Sequence, residues 1–461
     1  MEVGLGRNIC TSLTVDTQDG IFSALDTNIY FGFTLGSNRL RGHIYNSQFK
    51  AKGREKVAYW IVPLLNFLSS YGNRYPELDH HPLRIYPTPP VPEDLSEEER
   101  KQATYCANLH NSLIAFHYDN KPAFIEALPN YDEIEKDLKS GHAQMRITAI
   151  MVGETSVIPS DIKQLQWWEP LEFLRLLSLT NGNEISGSWI EFRDDQGGLV
   201  QRIHMNFQRS IFISGHTAIN ERYNPGCISY LLMQAQQSPN FGKSYIRAVI
   251  KSLVISGMGS LTIEDKLSSL FRAIDCLIQE FNLNEESKAK QHLSPQVKTN
   301  VESITAEAAQ AVRALKKGSE NSKEIEALER IANQLSEAKE AREGYGKALL
   351  ALLKQFDLPD AEVVSAFYAN NPRSDKRKWN AVLSYYRGIV IHSSYFNFSE
   401  EEQEMRDAVR IIYHLHDILV RIVLKLLNYE APYQPIMAKY MGYSVKPDWV
   451  KLDTSAHELG Y

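Results

Sequence analysis

Two side chains suited to phosphate chemistry, Arg387 and His392, stand five positions apart in the run YYRGIVIHSSYF. A guanidinium can hold a phosphate through two parallel hydrogen bonds, and an imidazole titrates close enough to neutrality to take or give a proton. Together they suit attack of a ribose 2′-hydroxyl on its own 3′-phosphate: histidine as base, arginine against the charge on the pentacoordinate phosphorus. The apolar residues around them, Val382, Leu383, Tyr386, Ile389 and Val390, have the spacing of a buried helix ending near His392. Positions five apart lie about 140° around a helix. The pair therefore shares one face only if the helix frays or Arg387 reaches round, and Gly388 makes a distortion cheaper. The residues alone allow a plainer role too, with Arg387 reaching a carboxylate and His392 meeting the last helix carbonyls.

Just upstream, Arg373, Lys376, Arg377 and Lys378 precede Trp379 in a polar loop. Phosphate contacts beside a stacking aromatic suit single-stranded RNA, while an ordinary solvated loop with Trp379 anchoring a helix start is the alternative. Other polar clusters carry less. Asp79, His80 and His81 are followed by proline and lack further metal-ligand spacing. NFGKS at 240–244 ends like a phosphate loop, yet Gln237 stands where its first glycine belongs. His414, His416 and Asp417 sit among apolar residues, with the histidines on opposite sides of a helix, which suits packing. Cys10, Cys106, Cys227 and Cys276 are too scattered for a zinc or redox motif. No metal site and no cofactor are expected.

The elements that must position these residues belong to a chain of 461 residues, long enough for two or three domains, with 43% hydrophobic and 23% charged residues. A formal charge of −6 gives no global attraction to nucleic acid or anionic membrane, so such contacts need a local patch. With no basic, then apolar, leader and no membrane-length segment, a cytoplasmic protein without membrane contact is expected. Up to residue 240 short apolar runs alternate with turn residues. SWIEFRD, DQGG and LVQRIHMNF read as a hairpin turned by Gly197 and Gly198; NIYFGFTLG and QMRITAIMVG read as strands; VAYWIVPLLNF is an apolar run broken at Pro63. From about 245 the periodicity becomes helical. Leu267, Leu270, Phe271, Ile274, Leu277 and Ile278 form one stripe behind a capping box of Thr262 and Asp265. Helices over 296–343 pair around KKGSENS, and a long helix, apolar almost all round, follows Ser399. The fold class is α+β: a mixed, largely β module over 1–240, an all-α bundle over 245–435 and a tail over 436–461.

An arginine, a short spacer and a histidine in a helical bundle, with the amphipathic helix LTIEDKLSSLFRAIDCLIQEF upstream and a long apolar helix ending LLNY…PY downstream, resembles the HEPN superfamily, and within it the Apea-like group. The resemblance covers roughly 245–435. It implies a metal-independent endoribonuclease with His392 in acid/base work and Arg387 on the phosphate. It implies tRNA or mRNA as substrate and a homodimer or higher oligomer that brings two motifs together. It further implies a role in bacterial abortive-infection defence, with the N-terminal module reading a phage-derived trigger. Members can carry a polar or acidic residue on the first bundle helix near the site, a part open here to Asp275 or Glu280. Active members often have Asn, Asp or His after the arginine, where this chain has Gly388. The contrasting expectation is a non-catalytic HEPN domain that binds RNA or nucleotide, or acts as a dimerising scaffold.

Overall fold

A computed structural model describes residues 14–17, 20–25, 28–33, 40–45, 48–68, 81–85, 96–98, 113–143, 145–159, 168–204, 216–220, 226–283, 294–316, 321–336, 345–358, 379–393 and 402–436. The chain forms two compact units, Met1–Ala273 with Asn397–Tyr461, and Ile274–Phe396. The N-terminal half holds an antiparallel sheet and the C-terminal half is helical, an α+β protein.

In the first unit, ten strands form one sheet: β1 (Thr14–Thr17), β2 (Gly20–Leu25), β5 (Gln48–Ala51), β6 (Tyr59–Leu65), β7 (Leu113–Tyr118), β8 (Lys121–Ala127), β9 (Ile147–Glu154), β10 (Ser186–Gly187), β11 (Trp189–Arg193) and β12 (Leu199–His204). Their order is β1-β2-β5-β12-β11-β6-β9-β8-β7, with β10 beside β6; β3 (Asn28–Phe33) and β4 (Leu40–Tyr45) pair separately. The expected strands at 28–33 and 147–154 are present, and so is the hairpin of β11 and β12, with Glu191 opposite Arg202. Gly197 takes φ of 80° at its turn. The Asp194 carboxylate braces that turn by accepting from the backbone N–H groups of Gln196 and Gly198 at 3.1 and 2.6 Å.

Pro63 does not break its apolar run. Strand β6 passes through it because the ladder on that side is already interrupted: β11 pairs with Tyr59 to Ile61 and β10 with Leu64 and Leu65, so the gap falls at Val62 and Pro63. A missing N–H costs little where no ladder bond is due. Trp60 on β6 is fully buried, edge-on to Tyr118 and Trp168. It also requires Gly153 on the paired strand, since a Cβ there would lie 2.5 Å from the indole ring.

Helices cover this sheet and each other. Helix α1 (Tyr131–Lys139) packs on β9, and α2 (Glu169–Asn181) presents Phe173 to Phe116 and Tyr118 of β7. Helix α3 (Cys227–Gln237) lies along β7, and α4 (Ser244–Ser256) joins α2 to α10 (Glu402–Leu426). As its all-round apolar sequence requires, α10 is buried on every side from Leu415 to Leu424. Its last turn is capped from the turn leading into NFGKS: Ser238 Oγ and Asn240 Nδ2 both donate to the Leu426 carbonyl, at 2.6 and 2.9 Å.

Helix α5 (Ile263–Glu280) starts at the expected capping box, where Thr262 Oγ accepts from the Asp265 backbone N–H at 3.2 Å and donates to its carboxylate at 3.0 Å. The second unit begins within this helix. It continues with α6 (Pro295–Leu315) and α7 (Ser322–Ser336), which pack as the expected hairpin, and then α8 (Tyr345–Gln355) and α9 (Trp379–Ser393), which pack on each other. No helix among the described residues is long and apolar enough to cross a membrane.

Candidate functional site

Buried stripes on two helices, α5 and α9, set the site. On α9 Leu383, Tyr386 and Val390 are buried and on α5 Ile274, Leu277 and Ile278, which leaves Arg387 and Asp275 at the margins of their stripes. There they meet. Arg387 Nε donates to Asp275 Oδ1 at 3.2 Å and its terminal nitrogen to Oδ2 at 2.7 Å, the fork-on-fork geometry only guanidinium offers. Tyr345, the first residue of α8, lies under the guanidinium, with its ring centroid 4.6 Å from the Arg387 Cζ. The arginine plane is thus fixed by the carboxylate at one edge and the phenol ring on one face.

The pair remains wet, with 27% of the arginine side chain and 36% of the aspartate exposed. A partly exposed pair of this kind adds about 1 kcal/mol or less to stability. The Tyr345 hydroxyl is buried. Burial first, then the negative charge of Asp275, drive its pKa well above the ordinary phenol value, against an opposing effect of Arg387. Tyr345 is therefore a neutral phenol at physiological pH, suited to positioning rather than proton transfer. Cys276, next to Asp275, is a thiol for similar reasons: burial and then Glu280 raise its pKa, so no thiolate stands by.

Of the expected residues, Arg387 and Asp275 are brought together. Glu280 is exposed and lies about 140° around α5 from Asp275. His392 is the penultimate residue of α9, which runs unbroken through Gly388, so the backbone places positions 387 and 392 about 140° apart. Gly388 keeps to the helix, and a Cβ built there meets no atom within 4 Å. Trp379 opens α9, while Arg373, Lys376, Arg377 and Lys378 lie outside the described residues. Nothing in the sequence around EGYGKALLALL pointed to Tyr345.

A second polar cluster lies in the core of the first unit. His216 Nε2 donates to the Gln434 carbonyl at 2.7 Å, the Gln434 N–H to the Ala218 carbonyl at 2.7 Å, and the Ile436 N–H to Asp417 Oδ1 at 2.8 Å. The His416 ring stands edge-on to His216 at 5.9 Å, and burial, followed by His216, lowers its pKa to about 3. His414, His416 and Asp417 are all buried, in keeping with a packing role. His81 has a local role, its Nδ1 accepting from the Leu83 N–H at 3.2 Å; Asp79 and His80 lie outside the described residues. Among the described residues, no three His, Cys, Asp or Glu side chains are grouped to hold a metal ion.

No family profile, curated protein or solved structure matches the chain.

Proposed function

We propose that the protein is a metal-independent endoribonuclease of HEPN type, its helical C-terminal half a HEPN bundle and RNA its substrate. The ion pair of Asp275 with Arg387 carries this reading. A carboxylate on the upstream amphipathic helix holds the motif arginine bidentately, in the place where the HEPN likeness calls for an acidic neighbour. With over a quarter of its side chain exposed, Arg387 remains open to a phosphodiester. Its guanidinium lowers the energy of the pentacoordinate phosphate while His392 takes the 2′-hydroxyl proton. The new O2′–P bond forms as the P–O5′ bond breaks, the 5′-oxygen leaves with a proton from solvent while His392 later returns its own to solvent, and the other product ends in a 2′,3′-cyclic phosphate. A homodimer in which two motifs meet completes the site. The biological setting in this reading is cytoplasmic abortive-infection defence, with a phage-derived trigger sensed by the sheet-bearing part of the chain.

A binding or dimerising scaffold is the second reading. Its support is that Asp275 already neutralises Arg387 and that Gly388 offers no side chain beside it. Incubation of the purified chain with mixed tRNA and mRNA in excess EDTA distinguishes the two. The nuclease yields fragments with cyclic phosphate ends, and Arg387→Ala and His392→Ala each lose on the order of 100-fold or more in rate with the fold intact. Uncut RNA with wild type, alone and with phage-infected lysate as activator, selects the scaffold.

A further inference from the structure

Helix α6 has two apolar faces, and α7 accounts for one of them. Thr305, Ala309, Val312 and Lys316 are buried or half-buried along the side packed on α7, where Lys316 Nζ reaches Glu329 Oε2 at 3.1 Å. A second stripe, Val297, Val301, Ile304, Ala308, Ala311 and Leu315, repeats at spacings of four and three along the helix, about 90° round from the first. Val297 is 44% exposed, Val301 36%, Ile304 64% and Leu315 63%. Single exposed apolar residues are ordinary; a full-length seam of them marks a missing neighbour.

We propose that the missing neighbour is the same stripe of a second copy, docked antiparallel, so that two hairpins make a four-helix assembly. Shape selects a copy in that orientation. Pairing about a two-fold axis level with position 306 sets Ile304 opposite Ala308, Val301 opposite Ala311 and Val297 opposite Leu315, so the two central bulky side chains each face a small one. Parallel docking would instead stack like on like, Ile304 on Ile304 and Ala308 on Ala308, so that wide and narrow layers alternate along one seam and the alanine layers are left underpacked. Charge agrees: Glu302 and Arg313 fall on the far side of the helix, and Glu307, at the margin, accepts from Ser303 Oγ at 3.1 Å. The size suffices as well. A helix of 21 residues is about 31 Å long, and a strip about 20 Å wide along it hides on the order of 1,200 Å² over both copies, the lower end for specific interfaces. The interface rests on α6 alone and stands whether or not the chain cuts RNA.

Sedimentation velocity on the full chain from 1 to 100 μM (about the range for a modest interface) tests it. A reversible self-association through α6 is expected, as a step separate from any dimer formed by the motif faces, with its Kd raised at least tenfold by Ile304→Glu and far-UV circular dichroism unchanged, since the position is exposed. The paired substitutions Ile304→Cys and Ala308→Cys are expected to give a reducible covalent dimer above the background of the four native cysteines. Leu315→Cys alone should not, because antiparallel copies hold these positions far apart. A monomer throughout, or self-association indifferent to Ile304→Glu at every step, overturns the proposal. So does a Leu315→Cys crosslink, which requires parallel chains.

Discussion

Replacing His416 by phenylalanine should flatten the acid side of the stability profile. His416 is buried edge-on to His216, and its pKa is lowered from 6.5 to about 3, by burial first and His216 second. The unfolded chain therefore binds a proton that the folded chain refuses at any pH between those values. The sign follows from linkage: stability from this group is complete above pH 6.5 and lost as pH falls toward 3. At pH 5 the ordinary imidazole is 1.5 pH units below its own pKa, so the loss is about 2 kcal/mol at about 1.4 kcal/mol per unit. Urea unfolding at pH 7.5 and pH 5, for wild type and His416→Phe, isolates the effect. Wild type is expected to lose about 2 kcal/mol more than the variant. Equal losses would refute the argument, since a neutral buried His416 could not then be the source.

Two further substitutions test packing near the candidate site and in the sheet. Gly388→Ala should stabilise α9 by roughly 0.5–1 kcal/mol, because its new methyl meets nothing within 4 Å; thermal melting decides, and a destabilised variant would mean that the helix is not regular there. Gly153→Ala forces a Cβ to 2.5 Å from Trp60 and should cost roughly 1–3 kcal/mol, with a changed tryptophan emission as the indole is displaced.

Features made by near neighbours in the chain were legible beforehand. The β11–β12 hairpin, the Thr262–Asp265 capping box, the α6–α7 hairpin and the enclosed α10 each follow from periodicity or turn chemistry over a few residues. At the candidate site Arg387 was readable as a cation needing an anion, and Asp275 only as one of two carboxylates. The choice between Asp275 and Glu280 turned on which edge of α5 faces α9, and the sequence of either helix alone is silent on that.

The amino-acid order by itself thus determined that a sheet-bearing stretch precedes a helical one and which faces of the helices are apolar, whereas the division into compact units, with the last long helix in the same unit as the sheet, was not legible in it. Only the tertiary structure decided that β6 runs between β9 and β11 with Pro63 at a ladder gap, that Gly153 makes room for Trp60, that Tyr345 underlies Arg387, and that His216 meets His416. The physical reason is one of range. Propensity, capping and periodicity act over a turn or two of chain, whereas an ion pair across 112 residues, or two rings across 200, depends on the packing of whole elements, which no short stretch encodes.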